Sequence, residues 1–252
     1  MREKRGDLVF TAKIFVCCLA LCGVIFLLCA IFDIATCNTY VAEVEEKVKL
    51  SVIVDAGHGG RDGGALGANG AVEKDLNLSV ARSLRDILLL CDVEVVMTRN
   101  GDSLVCDEND PSLKGRLKTT DLNNRLKISR ENPKSVFVSI HMNKYPIEKY
   151  SGLQVYYSPN NECSSILAKD IQDKVAEILQ PNNNRKIKKA GSNIFLLNRI
   201  TSPAVLIECG FLSNENESEK LYLNEYRTKL AMIFAECIVS NANNLGIIYP
   251  NA

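Results

Sequence analysis

Ser51-Val52-Ile53-Val54-Asp55-Ala56-Gly57-His58-Gly59-Gly60 runs from a β-branched strand signal straight into a glycine-rich turn, and that junction decides the fold. Val136-Phe137-Val138-Ser139-Ile140 leads in the same way into His141-Met142-Asn143, and Ala204-Val205-Leu206-Ile207 into Glu208. Each polar residue therefore emerges at the C-terminal end of a strand, the edge at which α/β sheets bind ligands. Between the two histidines, Glu73 opens a helical stretch. Two imidazoles and a carboxylate make a catalytic zinc set with one coordination position left for water. A spare carboxylate nearby is what such a site needs as its general base.

Working outward, strand and helix signals alternate. The loop from Gly57 to Gly70 is rich in glycine and alanine, which lets backbone pass close to a ligand. Asp75 caps a helix in which Leu76, Val80, Leu84 and Leu88 recur at four-residue intervals. Val93–Met97 reads as a strand, and a polar loop through Asp102, Asp107, Asp110 and Pro111 leads to a helix over Leu117–Asn132, which Pro133 ends. Gly152–Tyr157 is another strand, Ser164–Leu179 a helix with Leu167, Ile171 and Val175 on one face, and Thr228–Asn241 a last helix. Ile194-Phe195-Leu196-Leu197 and Val205-Leu206-Ile207 close the sheet. The alternation predicts an α/β domain, a mostly parallel twisted sheet with helices on both faces, over residues 50–248. About 200 residues suits one compact domain.

The N-terminus is a separate problem. Ile14 to Phe32 carries no charge, and 19 helical residues nearly cover a hydrocarbon core of roughly 30 Å. The run is longer than a signal-peptide core and has no small-x-small cleavage site, and Thr36 is a poor residue before a lipidated Cys37. Arg2, Lys4, Arg5 and Lys13 precede it, so the positive-inside rule keeps residues 1–13 cytoplasmic. We therefore expect a single-pass transmembrane signal-anchor over 14–34, a polar linker over 35–49, and the catalytic domain on the extracytoplasmic side. The 30 Lys and Arg balance 30 Asp and Glu, which gives no footing for nucleic acid. Of ten cysteines, Cys91, Cys106, Cys163, Cys209 and Cys237 are scattered through the domain without CxxC spacing, and read as buried unpaired thiols.

Taken singly, the motifs are modest. The glycine loop lacks both GxGxxG and the Walker lysine pattern, and a lone histidine after a strand is commonly structural. Glu208 is harder to set aside, because an ionised carboxylate at a buried strand end needs a partner. Jointly, Asp55-Ala56-Gly57-His58-Gly59-Gly60, Glu73-Lys74-Asp75, Ser139-Ile140-His141-Met142-Asn143 and Glu208-Cys209-Gly210-Phe211-Leu212-Ser213-Asn214 resemble the zinc-dependent N-acetylmuramoyl-L-alanine amidases of bacterial cell walls. The four motifs fall in order across the whole soluble domain. The N-terminal anchor, the Gly-Leu-Gln-Val-Tyr-Tyr strand and the Phe-Leu-Leu-Asn to Ser-Pro-Ala-Val-Leu-Ile-Glu stretch are most similar to the germination-specific, spore-cortex members of that family.

The resemblance implies that His58, Glu73 and His141 bind Zn2+ and that Glu208 is the catalytic glutamate. It implies hydrolysis of the amide between the lactyl group of muramic acid and the L-alanine of the stem peptide, in the cortex space of an endospore former. Peptidoglycan is then the substrate, and a protein partner needed for activity is left open. Asp55 is placed either to orient His58 or to cap backbone. Asn143 and Arg125 are candidates for substrate contact or for structural roles, and Arg185-Lys186-Ile187-Lys188-Lys189 is either a peptide-carboxylate contact or a solvated loop. Two other readings stay open: a zinc peptidase acting on the stem, with Arg61 or Arg99 anchoring a terminal carboxylate, and a silent wall-binding protein that keeps a structural metal.

Overall fold

The computed structural model describes residues 21–32, 49–67 and 69–242. The chain divides into two units, Met1–Lys47 and Val48–Ala252. In the first, residues 21–32 are helical and expose Leu21, Phe26 and Phe32. No helix among the described residues is long and apolar enough to cross a membrane. The rest of the expected 14–34 anchor, the 1–13 tail and all but the end of the 35–49 linker lie outside the described residues.

The second unit is an α/β domain. Its strands are β1 (Ser51–Ala56), β2 (Glu94–Met97), β3 (Val136–Asn143), β4 (Gln154–Tyr157), β5 (Lys188–Lys189) and β6 (Ala204–Phe211). They form one sheet in the order β2-β1-β3-β6-β4-β5. β2, β1, β3 and β6 run parallel, β4 is antiparallel to β6, and β5 is parallel to β4. The helices are α1 (Glu73–Leu90), α2 (Leu117–Glu131), α3 (Cys163–Ile178), α4 (Glu215–Tyr222) and α5 (Asn224–Ser240).

Period-two alternation sorts each strand between two cores. Val52 and Val54 of β1, Val136, Val138 and Ile140 of β3, and Val205 and Ile207 of β6 pack with α1, α3 and α5. Ile53, Phe137 and Ala204 face the other way, against Leu126 of α2 and against Leu196, Leu197 and Ile200. Helices thus cover both faces, as expected. Carried two residues at a time along the second face, the same alternation brings a polar group into the C-terminal half of each of three adjacent strands: Asp55, His141 and Glu208. His141 and Glu208 are register partners, as are Asp55 and Ser139. A strand that switches from apolar to ionisable on its inward face gives up core there for chemistry.

Two local expectations need correction, and one helix, α4, comes in addition. Ile194–Leu197 is not a strand: Ile194 N donates to Gly191 O, Asn198 N to Ile194 O and Ile200 N to Leu196 O, which coils the segment into successive turns. Leu196 and Leu197 are buried and Ile194 and Phe195 half-buried, which a strand would also show, so composition alone could not separate the two. Asp75 is not the cap of α1. Leu76 N already bonds Val72 O, so Val72 is the N-cap and both Glu73 and Asp75 lie in the first turn, where negative charge is favourable. α4 went unread, although Asn214 Oδ1 accepts Glu217 N at 3.1 Å in the spacing of a capping motif.

Candidate metal centre

β1 delivers Gly57 to the edge of β3, where its N–H donates to Ile140 O at 3.0 Å. The next residue, His58, has φ 61°, left-handed backbone that a side-chain-bearing residue adopts at a cost of order 1–3 kcal/mol. That turn aims the imidazole back across the strand end. His58 Nε2 lies 3.2 Å from Glu73 Oε1, and His141 Nδ1 lies 3.1 Å from the same oxygen. The two rings meet edge-on with centroids 5.0 Å apart. One donor atom from each of His58, Glu73 and His141 falls within 4.8 Å of the other two, so the group could hold a metal ion. Two imidazole nitrogens and a carboxylate oxygen are the donor chemistry of an open zinc site.

Glu73 is fixed from several sides. Its Oε2 accepts Ala65 N at 2.8 Å, and its Oε1 accepts Met142 N at 3.1 Å. Burial would raise its pKa, but bonds to His141 and His58 outweigh burial and hold the carboxyl well below its ordinary range. His58 shows the converse: burial lowers it, and Glu73 and Asp62, whose Oδ2 is 3.0 Å from Nδ1, raise it overall.

Two glycines are required sterically. A Cβ on Gly64, which has φ +68°, would lie 2.5 Å from Glu73 Oε2 and 2.8 Å from His58 Cδ2. A Cβ on Gly57 would lie 2.2 Å from His141 Cε1 and 2.3 Å from Nε2. Gly57→Ala should therefore swing the His141 ring out of the donor set while the sheet stays paired. Elemental analysis of purified protein is expected to show metal content well below that of wild type, with an unchanged far-UV circular dichroism spectrum. Wild-type metal content in the variant would show that His141 tolerates the displacement.

Glu208 stands beside this set. It lines a cavity of about 240 Å³ together with His58, His141, Asp62, Ile194 and Leu206. Its Oε2 is buried and has no hydrogen-bond partner among the described residues. Burial pushes its pKa up to about 7; His141 and His58 pull against that push, and Glu73 adds to it. A buried, unpartnered carboxylate is expensive unless something in the cavity completes it, and a cation on the adjoining donors would do so.

The remaining candidates sort plainly. Arg125, only 2% exposed, is structural: it donates to Asp55 Oδ1 at 2.6 Å, Asp121 Oδ2 at 2.7 Å, Ala56 O at 2.8 Å and His58 O at 2.8 Å. Asp55 does not bond the His58 ring; it also accepts Ser139 Oγ and Thr98 Oγ1, and reaches the histidine loop through Arg125. Asn143 is a backbone partner, its carbonyl accepting Leu212 N. Arg99 is buried and bonds the carbonyls of Ala56, Gly57, Lys74 and Gly101, and exposed Arg61 lies 3.8 Å from Glu108. Of the basic run, Lys188 and Lys189 are the exposed edge strand β5, while Arg185 stacks over Phe211 at 4.5 Å. Cys209 and Cys237 are buried free thiols as expected, but Cys91 is exposed and Cys106 and Cys163 are half-buried.

A second brace on the histidine loop has no signature in the sequence. Gly60 N donates to Asp102 Oδ1 at 2.8 Å and Arg61 N to Glu108 Oε2 at 3.1 Å, so the 101–110 loop grips the turn after His58.

A strand-end cluster of two imidazoles and two carboxylates over a largely parallel sheet marks a hydrolase of the metal-and-glutamate class. Residues 52–240 match the family described as N-acetylmuramoyl-L-alanine amidase, and the chain belongs to it. It is 38% identical over 180 residues to the germination-specific N-acetylmuramoyl-L-alanine amidase of Bacillus subtilis, covering 71% of this chain and 74% of that one. It is 26% identical to the amidase AmiA of Escherichia coli, over 76% of each chain. Among solved structures it is similar to the CwlD amidase from Clostridioides difficile in complex with the GerS lipoprotein, at a TM-score of 0.74 and 35% identity, covering 78% of this chain and all of that one.

Proposed function

We propose that this chain is a zinc amidase of the spore cortex, in which His58, Glu73 and His141 hold the metal and Glu208 moves the proton. The carrying observation is the convergence of those four side chains at one strand edge, with Glu208 left unpartnered in the cavity. Zinc supplies acidity to water and polarises the scissile carbonyl. Glu208 takes the proton of the attacking water and returns it to the L-alanine nitrogen, which must be protonated to leave. Arg125 and the Asp102–Glu108 loop hold His58 in its left-handed turn.

Stem-peptide cleavage by a zinc peptidase is the less supported reading, since Arg99 is spent on backbone carbonyls. Mass spectrometry of purified muropeptides, after incubation with the zinc-loaded chain, separates the two. An amidase leaves intact muramic acid and a peptide whose new amino group belongs to L-alanine; a peptidase frees an amino group further along.

The anchor over 14–34 would hold the domain outside the cytoplasmic membrane, with residues 1–13 inside, where cortex peptidoglycan is laid down. Similarity to the germination-specific amidase and to an amidase solved with a lipoprotein supports both the cortex substrate and a protein partner on that side. A C-terminal tag should be digested by protease added to intact protoplasts. Protection of that tag, with loss of an N-terminal one, would reverse the orientation and remove access to wall.

A further inference from the structure

The reaction described above leaves one charged group of the cleft without a task. Lys118, in the first turn of α2, lines the same cavity as His58, His141 and Glu208 and is exposed at its rim. Its ammonium makes no hydrogen bond or ion pair among the described residues. Of the other charged groups around the cavity, Arg125 pairs with Asp55 and Asp121, Asp62 pairs with His58, and Glu208 is the proposed base.

The cleft therefore has a sense of direction. Asp62 and Glu208 present carboxylates beside the metal donors, while Ile194, Phe195 and Leu206 line it with apolar surface. At the rim, Lys118 is a cation with no hydrogen-bond or ion-pair partner among the described residues, so a carboxylate entering the cleft finds a counter-charge there. A flexible four-carbon stem carrying a compact positive charge can follow a carboxylate without demanding a fixed geometry.

We propose that Lys118 is a specificity-determining residue that binds a free carboxylate on the stem-peptide residue following the scissile L-alanine. This rests on the amidase reading of the same site, and it adds which stems that site prefers: those whose carboxylate is free over those in which it is a carboxamide. The carboxamide is close in shape but uncharged, so the discrimination comes from charge alone.

The test compares two disaccharide tripeptides cleaved by the full zinc-loaded chain, L-alanyl-γ-D-glutamyl-L-lysine and L-alanyl-γ-D-isoglutaminyl-L-lysine, in which the γ-carboxyl is bonded in both and only the α-carboxylate is exchanged for a carboxamide. Wild type is expected to prefer the free acid, and Lys118→Met to lower the ratio of the two kcat/KM values at least tenfold, mainly through KM for the acid. Lys118→Arg should restore most of the ratio, which a merely structural role would not require. An unchanged ratio in Lys118→Met, whether both rates fall together or neither does, overturns the inference while leaving the amidase reading intact. If wild type releases L-alanyl peptide from neither substrate, the amidase reading fails and the inference falls with it.

Discussion

Glu208→Gln protein should fold and bind metal as wild type does and lose 10²–10⁴-fold in turnover, the range that positioned proton transfer contributes. Replacing a carboxylate with an amide usually breaks bonds as well as chemistry, but here Oε2 has no hydrogen-bond partner to lose among the described residues. The amide also escapes the burial that pushes the carboxyl up to about 7, so the thermal midpoint should hold or rise slightly. Neither His58 nor His141 is bonded to Glu208, and the metal donors should therefore stay in place. Turnover and metal content measured on the same preparation separate the possibilities. More than a tenth of the wild-type rate in fully metallated protein would take Glu208 out of the proton path.

Arg125→Leu should be the most damaging single change to stability, at about 3–5 kcal/mol, because it removes one partner of a buried ion cluster and strands the others. For a domain of this size that corresponds to a fall in thermal midpoint of roughly 6–20 °C. Asp55, 1% exposed, would keep Ser139 and Thr98 but lose its counter-charge, and the carbonyls of Ala56 and His58 would lose a donor. The effect depends on pH with a definite sign. In wild type, burial raises the Asp55 carboxyl, but Arg125, Ser139 and Thr98 together hold it below its ordinary value. That stability is present above the unfolded pKa of about 3.9 and is lost as pH falls through the lower folded value. In the variant the folded value rises instead, so the ionised carboxylate costs stability as pH climbs past 4. The gap between the two proteins should be widest near neutrality and close towards pH 3. Denaturant midpoints that differ equally at both pH values would mean that Arg125 acts through its packing, not its charge.

The site was legible in the sequence to the extent that it is built on strand ends. His58, His141 and Glu208 each follow a β-branched or apolar run, and the period of a strand then fixes the face on which the side chain falls. What escaped was whatever depends on partners far away in the chain. Arg125 lies 70 residues from Asp55, and its helix has little apolar patterning to show which side is buried. Asp102 and Glu108 sit in a loop whose acidic residues look solvated until Gly60 and Arg61 turn their N–H groups towards them. Ile194–Leu197 failed for a different reason: a short apolar run is equally at home in a strand or in buried turns, and only the Asn198 side chain, donating to Ile194 O, betrays the coil. Asn214 and Glu217 carry the signal for α4, but Asn214 is also the last residue of the motif that begins at Glu208, so the helix start is hidden inside it.

The sheet is finished at one edge by β5, two residues long, both of them exposed lysines, and at the other by β2, four residues opening on exposed Glu94. Short, charged borders of this kind offer a passing chain almost no unpaired backbone to hydrogen-bond and a penalty for trying. The domain is thereby guarded against cross-chain strand addition, the route by which exposed sheets polymerise, and a partner chain finds more to hold on its helices and loops than on its sheet edges.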